Sequence, residues 1–258
     1  MAHRFFLTAP LPAEPGEPLP LSEADAHHAI RVLRVRAGER VELVEPGGGV
    51  LGAEVVSADD AGVVVTAVVP IEERGDRMPD VTLFQGVAKG EKMDAIVRQA
   101  VEVGAAGIVP VMTSRTIVRL DADKRAARRE RWQRVAKSAA EQAKRTSVPD
   151  VAEPATFAAA LELLSGYDRV VVLWEEHCGR GIADALSGLD ASDRVALVVG
   201  PEGGLSAEEV GVLAARGALT ASLGPTVLRT ETAAVVSLAL ALSALGGMGG
   251  RGGTGGVG

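Results

Sequence analysis

Two short glycine-bearing stretches near the end of the chain carry the residues best suited to chemistry. The first is Gly200-Pro201-Glu202-Gly203-Gly204, and the second is Leu223–Ala233. Glycines lack side chains and so permit a tight cleft lined by backbone, while Glu202, Arg229 and Glu231 would be charges at the mouth of a buried element. A carboxylate at such a place can accept a proton, and an arginine can stabilise a negative charge that develops during a reaction.

Three loops must come together to form that cleft. Trp174-Glu175-Glu176 follows the apolar run Val170–Leu173, and the two glycine stretches follow the runs Val195–Val199 and Leu219–Leu223. Strand-like runs at a spacing of roughly 25 residues indicate parallel strands joined by crossover helices. Ligands bind beyond the carboxyl ends of the strands in such sheets, so we expect the site at these three loops.

Helix signals follow both glycine stretches. Ser206 and Glu209, three residues apart, form a capping box that begins a helix. Gly217 is a natural end for the same helix. Thr230 is predicted to cap the next helix, which has no charge from Thr232 to Leu245 and is therefore predicted to be buried. At about 14 apolar residues, that helix is too short to span a bilayer.

The two glycine stretches together resemble the RsmE family of ribosomal RNA methyltransferases. The match lies in Gly-Pro-Glu-Gly-Gly at 200–204 and Leu-Gly-x-x-x-Leu-Arg-Thr-Glu-Thr-Ala at 223–233. The resemblance implies an α/β fold, with a parallel-sheet domain of the SPOUT class that contains a trefoil knot and a small PUA-like β-barrel that precedes it. It also implies a homodimer that uses S-adenosylmethionine to methylate N3 of a uridine in the 16S ribosomal RNA of the small subunit.

The order of elements along the chain predicts two domains and a tail. Short strand-like runs separated by glycine-rich turns lie at Val41–Val44, Ala53–Val56 and Val63–Thr66, whereas strand–helix–strand patterns follow from Val81 onward. We therefore predict one domain at residues 1–73, a second at 74–246 and a disordered glycine-rich tail at 247–258. The resemblance implies that the first is a PUA-like, RNA-binding domain and the second a SPOUT-like methyltransferase domain.

Composition narrows the class of protein. A net charge of −7 argues against a general nucleic-acid binder, and the single Cys178 excludes an internal disulfide. No secretory signal opens the chain, so we expect a cytoplasmic protein with no membrane segment. The neighbours His27 and His28 would point apart on a helix with no third ligand close by, and we predict no metal site.

A basic segment nevertheless lies between residues 115 and 145. Its eleven basic and four acidic residues give +7, which leaves −14 for the other 227 residues. Such a local excess is typical of a surface that binds a polyanion, although a salt-bridged helix face has the same composition. The residues that we predict to contact RNA are Arg4, Arg31, Arg34, Lys89, Arg115, Arg128 and Arg145.

The resemblance also assigns the residues of the cleft. Those expected to hold the cofactor are Leu173, Trp174, Glu175, Gly200, Pro201, Glu202, Gly203, Gly204, Leu223, Gly224, Val227, Leu228, Thr232 and Ala233. Uridine N3 is a good nucleophile only as its proton leaves, so a base or a stabiliser of the resulting anion is needed. We rank Arg229 first for these roles, then Glu202 and Glu231.

Three other interpretations stay open on the sequence alone. One is a non-catalytic RNA-binding or ribosome-assembly protein, which would bind RNA without cofactor affinity. Another is a knotted methyltransferase that acts on transfer RNA or on another base. The third is a metabolic α/β enzyme, whose affinity for its substrate would not fall steeply with salt as RNA binding does.

Overall fold

The computed structural model describes residues 2–10, 16–71, 78–118, 120–174, 176 and 179–248. The chain divides into two compact units, one formed by Met1–Asp76 with Ala140–Val148 and the other by Arg77–Ala139 with Pro149–Gly258. The predicted domain boundary after residue 73 lies outside the described residues, as does the predicted tail from residue 249 onward. The sequence did not predict that residues 140–148 would belong to the first unit.

The first unit is built on a five-stranded sheet. Strand order is β1-β3-β4-β5-β2, in which β1 runs parallel to β3 and the other pairs are antiparallel. The three predicted runs are the middle strands, and the short outer strands β1 and β2 were not predicted. The bounds are β1 (His3–Phe6), β2 (Pro18–Pro20), β3 (Arg40–Val44), β4 (Val50–Asp59) and β5 (Gly62–Ile71).

Alternation along the strands forms the core of this unit. Val41 and Leu43 of β3 and Val63 and Val65 of β5 are at most 2% exposed, and they pack in one cluster with Phe5 of β1. Residues at every second position of a strand share a face, so the period-2 pattern in the sequence buries one side of the sheet.

One helix, α1 (Glu23–His28), precedes β3. Ser22 caps it by accepting a hydrogen bond from the Asp25 N–H. A π-helical turn, Ala29–Leu33, follows, after which Arg34 takes a left-handed conformation with φ 57°. Arg34 therefore lies beyond the helical segment that contains Arg31.

Arg4 is the buried charge of the first unit. It is 2% exposed, and its guanidinium donates to Glu42 Oε2 at 3.0 Å and to the carbonyl oxygens of Lys144 and Arg145 at 2.6 and 3.0 Å. Lys144 Nζ also lies 2.7 Å from Glu42 Oε2. Burial alone would raise the pKa of Glu42, but the hydrogen bonds from Lys144 and Arg4 outweigh it and lower the pKa.

This cluster corrects two predicted RNA contacts. A phosphate contact needs a cation at the surface, yet Arg4 is bound by the protein's own groups, and Arg145 is only 7% exposed. Arg4 and Arg145 are therefore too buried to contact RNA as predicted. Arg4 instead ties residues 140–148 to the rest of the first unit by donating to the carbonyl oxygens of Lys144 and Arg145, because a buried guanidinium must have its donors satisfied.

The second unit contains a parallel sheet, as predicted. Strand order is β12-β10-β11-β6-β7-β8, and the short β9 also pairs with β7. Every pair is parallel. The bounds are β6 (Val81–Gly86), β7 (Gly107–Met112), β8 (Asp150–Val151), β9 (Ala155–Thr156), β10 (Arg169–Leu173), β11 (Val195–Val199) and β12 (Leu219–Ala221). The predicted fold class is thereby confirmed, and the trefoil knot stays a prediction.

Six helices connect and follow these strands: α2 (Lys92–Val103), α3 (Ala122–Gln142), α4 (Phe157–Leu164), α5 (Ile182–Ala185), α6 (Ala207–Ala215) and α7 (Thr230–Ala244). The predicted apolar stripe of α2 is fully buried, and the helix ends at Gly104 with φ 118°. No helix in the described ranges is both long and apolar enough to cross a membrane.

Helix α7 differs from its prediction. Its uncharged sequence predicted burial on all sides, but only one face is covered, through residues such as Ala234, Leu238 and Leu242. Leu240, on the other face, is 47% exposed. A helix that is apolar all round needs a second partner to bury its remaining face.

Candidate functional site

A cavity of about 270 Å³ lies at the carboxyl ends of β10, β11 and β12. These strands are neighbours in the sheet, so the three loops that follow them meet where the sequence predicted. The residues that line the cavity are Lys92, Leu173, Trp174, Val199, Gly200, Pro201, Glu202, Gly204, Ala221, Ser222, Leu223, Gly224, Pro225, Thr226, Val227, Leu228, Arg229, Thr230 and Ala233.

Most of the residues predicted to hold a cofactor line this cavity. Gly203 and Thr232 do not, and Glu175 lies outside the described residues. Gly203 instead packs against Arg115, whose side chain would lie 3.2 Å from a Cβ added at that glycine. The loop between β12 and α7 supplies most of the lining that was not predicted, including Pro225 and Thr226.

A buried hydrogen-bond cluster holds the loop ends together. The Thr230 hydroxyl donates to the Gly200 carbonyl at 2.6 Å, and Gln85 Nε2 lies 2.9 Å from the Thr230 oxygen, 2.9 Å from the Gly86 carbonyl and 3.3 Å from the Gly200 carbonyl. Thr230 thus does not cap α7; the cap position is Arg229, which makes no side-chain capping bond. Gln85 was missed, although a polar residue inside an otherwise apolar strand is a signal for such a role.

Close backbone contacts require glycine at Gly200 in the first loop and at Gly86, the last residue of β6. A Cβ on Gly200 would lie 2.6 Å from the Gly204 carbonyl carbon, and one on Gly86 would lie 2.4 Å from the Pro201 nitrogen. Gly224, in the second loop, has φ 115°, a backbone conformation that residues other than glycine rarely adopt.

A second set of contacts supports the loop after β11 from its other side. The predicted capping box is confirmed, since Glu209 N–H donates to Ser206 Oγ at 3.2 Å and Ser206 N–H donates to Glu209 Oε2 at 2.9 Å. The other oxygen of Glu209 accepts from the Ser114 N–H at 2.7 Å, and Arg115 donates to the Gly203 carbonyl at 2.8 Å. The loop after β7 therefore restrains the glycine loop.

The charged groups of the site centre on Lys92, which the sequence analysis did not select. Its Nζ lies 3.4 Å from Glu202 Oε1 and 3.6 Å from Glu231 Oε2. The Lys89 N–H donates to the same Glu202 oxygen at 3.1 Å. Burial would raise the pKa of Glu202, but backbone hydrogen bonds from Glu202 itself and Lys89, together with Lys92, lower it. Glu202 is therefore held as a carboxylate.

Glu231 and Arg229 are less constrained. The Oε2 atom of Glu231 is shielded from solvent and makes no hydrogen bond to any described residue. Arg229 is exposed, lines the cavity and forms no ion pair within the described part of the chain. It immediately precedes α7, where the helix dipole also favours negative charge.

The remaining predicted RNA contacts are accessible to different degrees. Arg31, Arg34, Lys89 and Arg115 are exposed and Arg128 is half-buried. Arg31 lies 3.8 Å from Asp60, and both side chains are largely in solvent. Such an exposed pair contributes little to stability, and it leaves the guanidinium open to an RNA phosphate.

Acidic residues outside helix α3 neutralise more of its positive charge than the sequence of the helix indicates. Acids from other elements pair with it: Glu153 lies 3.5 Å from Arg125 and Asp150 lies 3.2 Å from Arg129. Asp94 pairs with Arg131 and Asp121 with Lys124. The salt-bridged interpretation therefore holds for part of this helix, and RNA contact by the segment stays a prediction. Arg128 and Arg134 have no carboxylate partner among the described residues.

Comparison with known proteins places this geometry in a family. Residues 76–242 match the family model described as RNA methyltransferase domain, and residues 21–68 match the one described as RNA methyltransferase PUA domain. The chain belongs to the RsmE family of RNA methyltransferases. It is 33% identical to ribosomal RNA small subunit methyltransferase E of Bacillus subtilis over 218 aligned residues. These residues cover 83% of this chain and 85% of that protein.

Other relatives agree in sequence and in structure. Ribosomal RNA small subunit methyltransferase E of Mycobacterium tuberculosis is 34% identical over 218 residues, which cover 83% of this chain and 82% of that one. The crystal structure of the Neisseria gonorrhoeae enzyme of the same name, bound to S-adenosylmethionine, superposes with a TM-score of 0.82 at 27% identity, covering 93% of this chain and 96% of that chain.

The close packing of the first loop gives a stability prediction. Gly200→Ala forces the backbone of residues 204 and 205 to move, because its Cβ would approach them within 3 Å. We expect the free energy of unfolding to fall by about 1–3 kcal/mol. Gly211→Ala, in α6 with nothing within 4 Å of its added Cβ, should instead raise it by about 0.5–1 kcal/mol. Urea denaturation of both variants measures this difference, and equal stabilities would contradict the packing.

Proposed function

We propose that the protein transfers the methyl group of S-adenosylmethionine to N3 of a uridine in the 16S ribosomal RNA of the small ribosomal subunit. The observation that carries the proposal is the cavity at three parallel strand ends, with glycine backbone on its walls and Lys92, Arg229 and Glu202 on its lining. Relatives named ribosomal RNA small subunit methyltransferase E support the substrate, and a ribosomal substrate supports a cytoplasmic location.

The residues present fit S-adenosylmethionine. An adenosyl group needs a narrow cleft where the backbone can approach closely, which Gly200 and Gly224 provide. It also needs apolar contacts, and Val227 stands 81% exposed on the loop that borders the cavity. An exposed apolar side chain beside a cavity is typical of a surface that a ligand covers. When bound, the cofactor supplies the electrophilic methyl group.

The charged residues then act on the uracil. Arg229, at the start of α7, stabilises the negative charge that uracil acquires as the N3 proton leaves, and the helix dipole adds to this effect. Glu231 is the better proton acceptor of the two carboxylates. Glu202 accepts a hydrogen bond from the Lys89 N–H and pairs with Lys92, whereas the Oε2 atom of Glu231 makes no hydrogen bond to a described residue and has Lys92 Nζ at 3.6 Å.

The RNA is held by exposed or half-buried cations on each unit. Arg31 and Arg34 lie in the first unit, and Lys89, Arg115 and Arg128 lie in the second. Contacts of this kind fix the position of the phosphate backbone without reading its sequence. A uridine must leave its stack before N3 can enter the site, so the target nucleotide is unpaired or flipped out.

A methyl-transfer assay with Arg229→Ala tests the proposed function. Small subunits that lack the modification are incubated with labelled S-adenosylmethionine, and the product nucleoside is identified. We expect N3-methyluridine from the wild-type protein and from Arg216→Ala, a control that removes an exposed cation paired with Glu162. Arg229→Ala should lower kcat by about 10²–10³-fold, the usual effect of losing one anion-stabilising group.

Calorimetric titration with S-adenosylmethionine separates the other outcomes of that assay. Cofactor binding without methyl transfer would indicate another RNA or another base as the substrate. RNA binding without cofactor binding would favour a ribosome-assembly protein, and the enzyme proposal would then be wrong.

We further propose that the protein is a homodimer joined through the uncovered face of α7. Thr232, Val235, Val236, Ala239 and Leu240 lie at helical spacing on that face and remain exposed or half-buried in the single chain. The face is uncharged and immediately follows the cavity loop, so a second copy of the chain would cover it and adjoin the site.

A charge placed on this face should separate the subunits. Leu240→Glu puts a carboxylate where the proposal buries an apolar side chain, and we expect sedimentation velocity to show monomers. Leu163→Glu is the matched control, because Leu163 on α4 is equally exposed at 50% but lies outside the proposed interface. A wild-type monomer, or a Leu240→Glu dimer, would contradict the proposal.

A further inference from the structure

Lys92 places a cation on the lining of the cavity, and the roles proposed above for Arg229, Glu202 and Glu231 do not include it. It is the first residue of α2, which follows β6, and β6 is the neighbour of β11 in the sheet. Its ammonium consequently reaches the loop after β11 and the first turn of α7, where Glu202 and Glu231 lie at 3.4 and 3.6 Å.

The surroundings of Lys92 distinguish it from an ordinary surface ion pair. It bridges two carboxylates that are each about three-quarters covered, with side-chain exposures of 26% and 25%. Other charged groups close to Lys92 include Arg229 on the same cavity, Lys89 and Glu91 just before it in the chain, and Asp94, which is paired with Arg131 of α3. Among the described residues, Lys92 is the cation that pairs with both Glu202 and Glu231.

We propose that Lys92 is a positioning residue for methyl transfer, holding Glu202 and Glu231 in place beside the cavity so that Glu231 can take the uridine proton. The inference rests on the proposed function. In the step concerned, the N3 proton passes to a Glu231 oxygen and the N3 electron pair forms the bond to the methyl carbon. The bond between that methyl group and sulfur breaks, and its electron pair stays on sulfur, which leaves a neutral thioether.

The charge balance explains why one ammonium serves two carboxylates. Before proton transfer, Lys92 offsets the negative charges of both carboxylates. After Glu231 has become neutral, Glu202 still neutralises Lys92, so no unpaired cation is left in the partly covered site. Backbone hydrogen bonds from Glu202 itself and Lys89 are the main causes that lower the pKa of Glu202, and Lys92 acts in the same direction.

The pH dependence of kcat tests the proposal. The carboxylate that accepts the proton must itself be unprotonated, so activity is lost at low pH, and removal of the Lys92 cation makes protonation of the two neighbouring carboxylates easier. Lys92→Met removes the charge but keeps the apolar stem. We expect kcat to fall about 10–100-fold and the acidic limb to move to higher pH. Lys92→Arg should keep the limb near its wild-type position.

Controls separate this role from a purely structural one. Lys92→Gln, with a polar tip, is a second neutral variant for which we expect the same shift. Arg216→Met removes a cation from an ion pair outside the site and should leave the profile unchanged. A kcat that falls equally at every pH, with an unmoved acidic limb, would overturn the proposal. If the wild-type protein transferred no methyl group, the proposed function would fail first, and this role would fall with it.

Discussion

The site depends on the hydrogen bond from the Thr230 hydroxyl to the Gly200 carbonyl, reinforced by Gln85. This buried cluster joins the end of β6, the end of β11 and the start of α7, which are distant in the chain. A polar group buried without a partner is costly, so the cluster permits few other arrangements of these backbones. Because Arg229 and Glu231 flank Thr230 in the chain, fixing Thr230 also fixes the backbone that carries these two charges.

The order and direction of the strands explain why charged residues gather at this edge of the sheet. Parallel strands end at one edge, and each following loop delivers its charges there: Lys92 after β6, Arg115 after β7, Glu202 after β11 and Arg229 with Glu231 after β12. Some of these groups neutralise one another, as Lys92 does with the two carboxylates. Arg229 has no such partner among the described residues, and so its charge remains available for a substrate anion.

Local patterns predicted the local structure well. The buried stripe of α2, the capping box of Ser206 with Glu209 and the strand runs around the cavity all depend on residues close in sequence. The roles of Gln85 and Arg4 depend on partners 115 and 140 residues away, which no periodicity reveals. The exposed side of α7 was missed for a related reason. An evenly apolar sequence shows that a helix needs partners but not which faces its own chain covers.

A structure of the protein with bound S-adenosylmethionine tests the central claim most directly. The account predicts the adenosyl group inside the cavity, against the backbone of the loops that contain Gly200 and Gly224, with its methyl group directed toward the side lined by Arg229. A cofactor bound away from these loops, or a methyl group that faces away from Arg229, would contradict it.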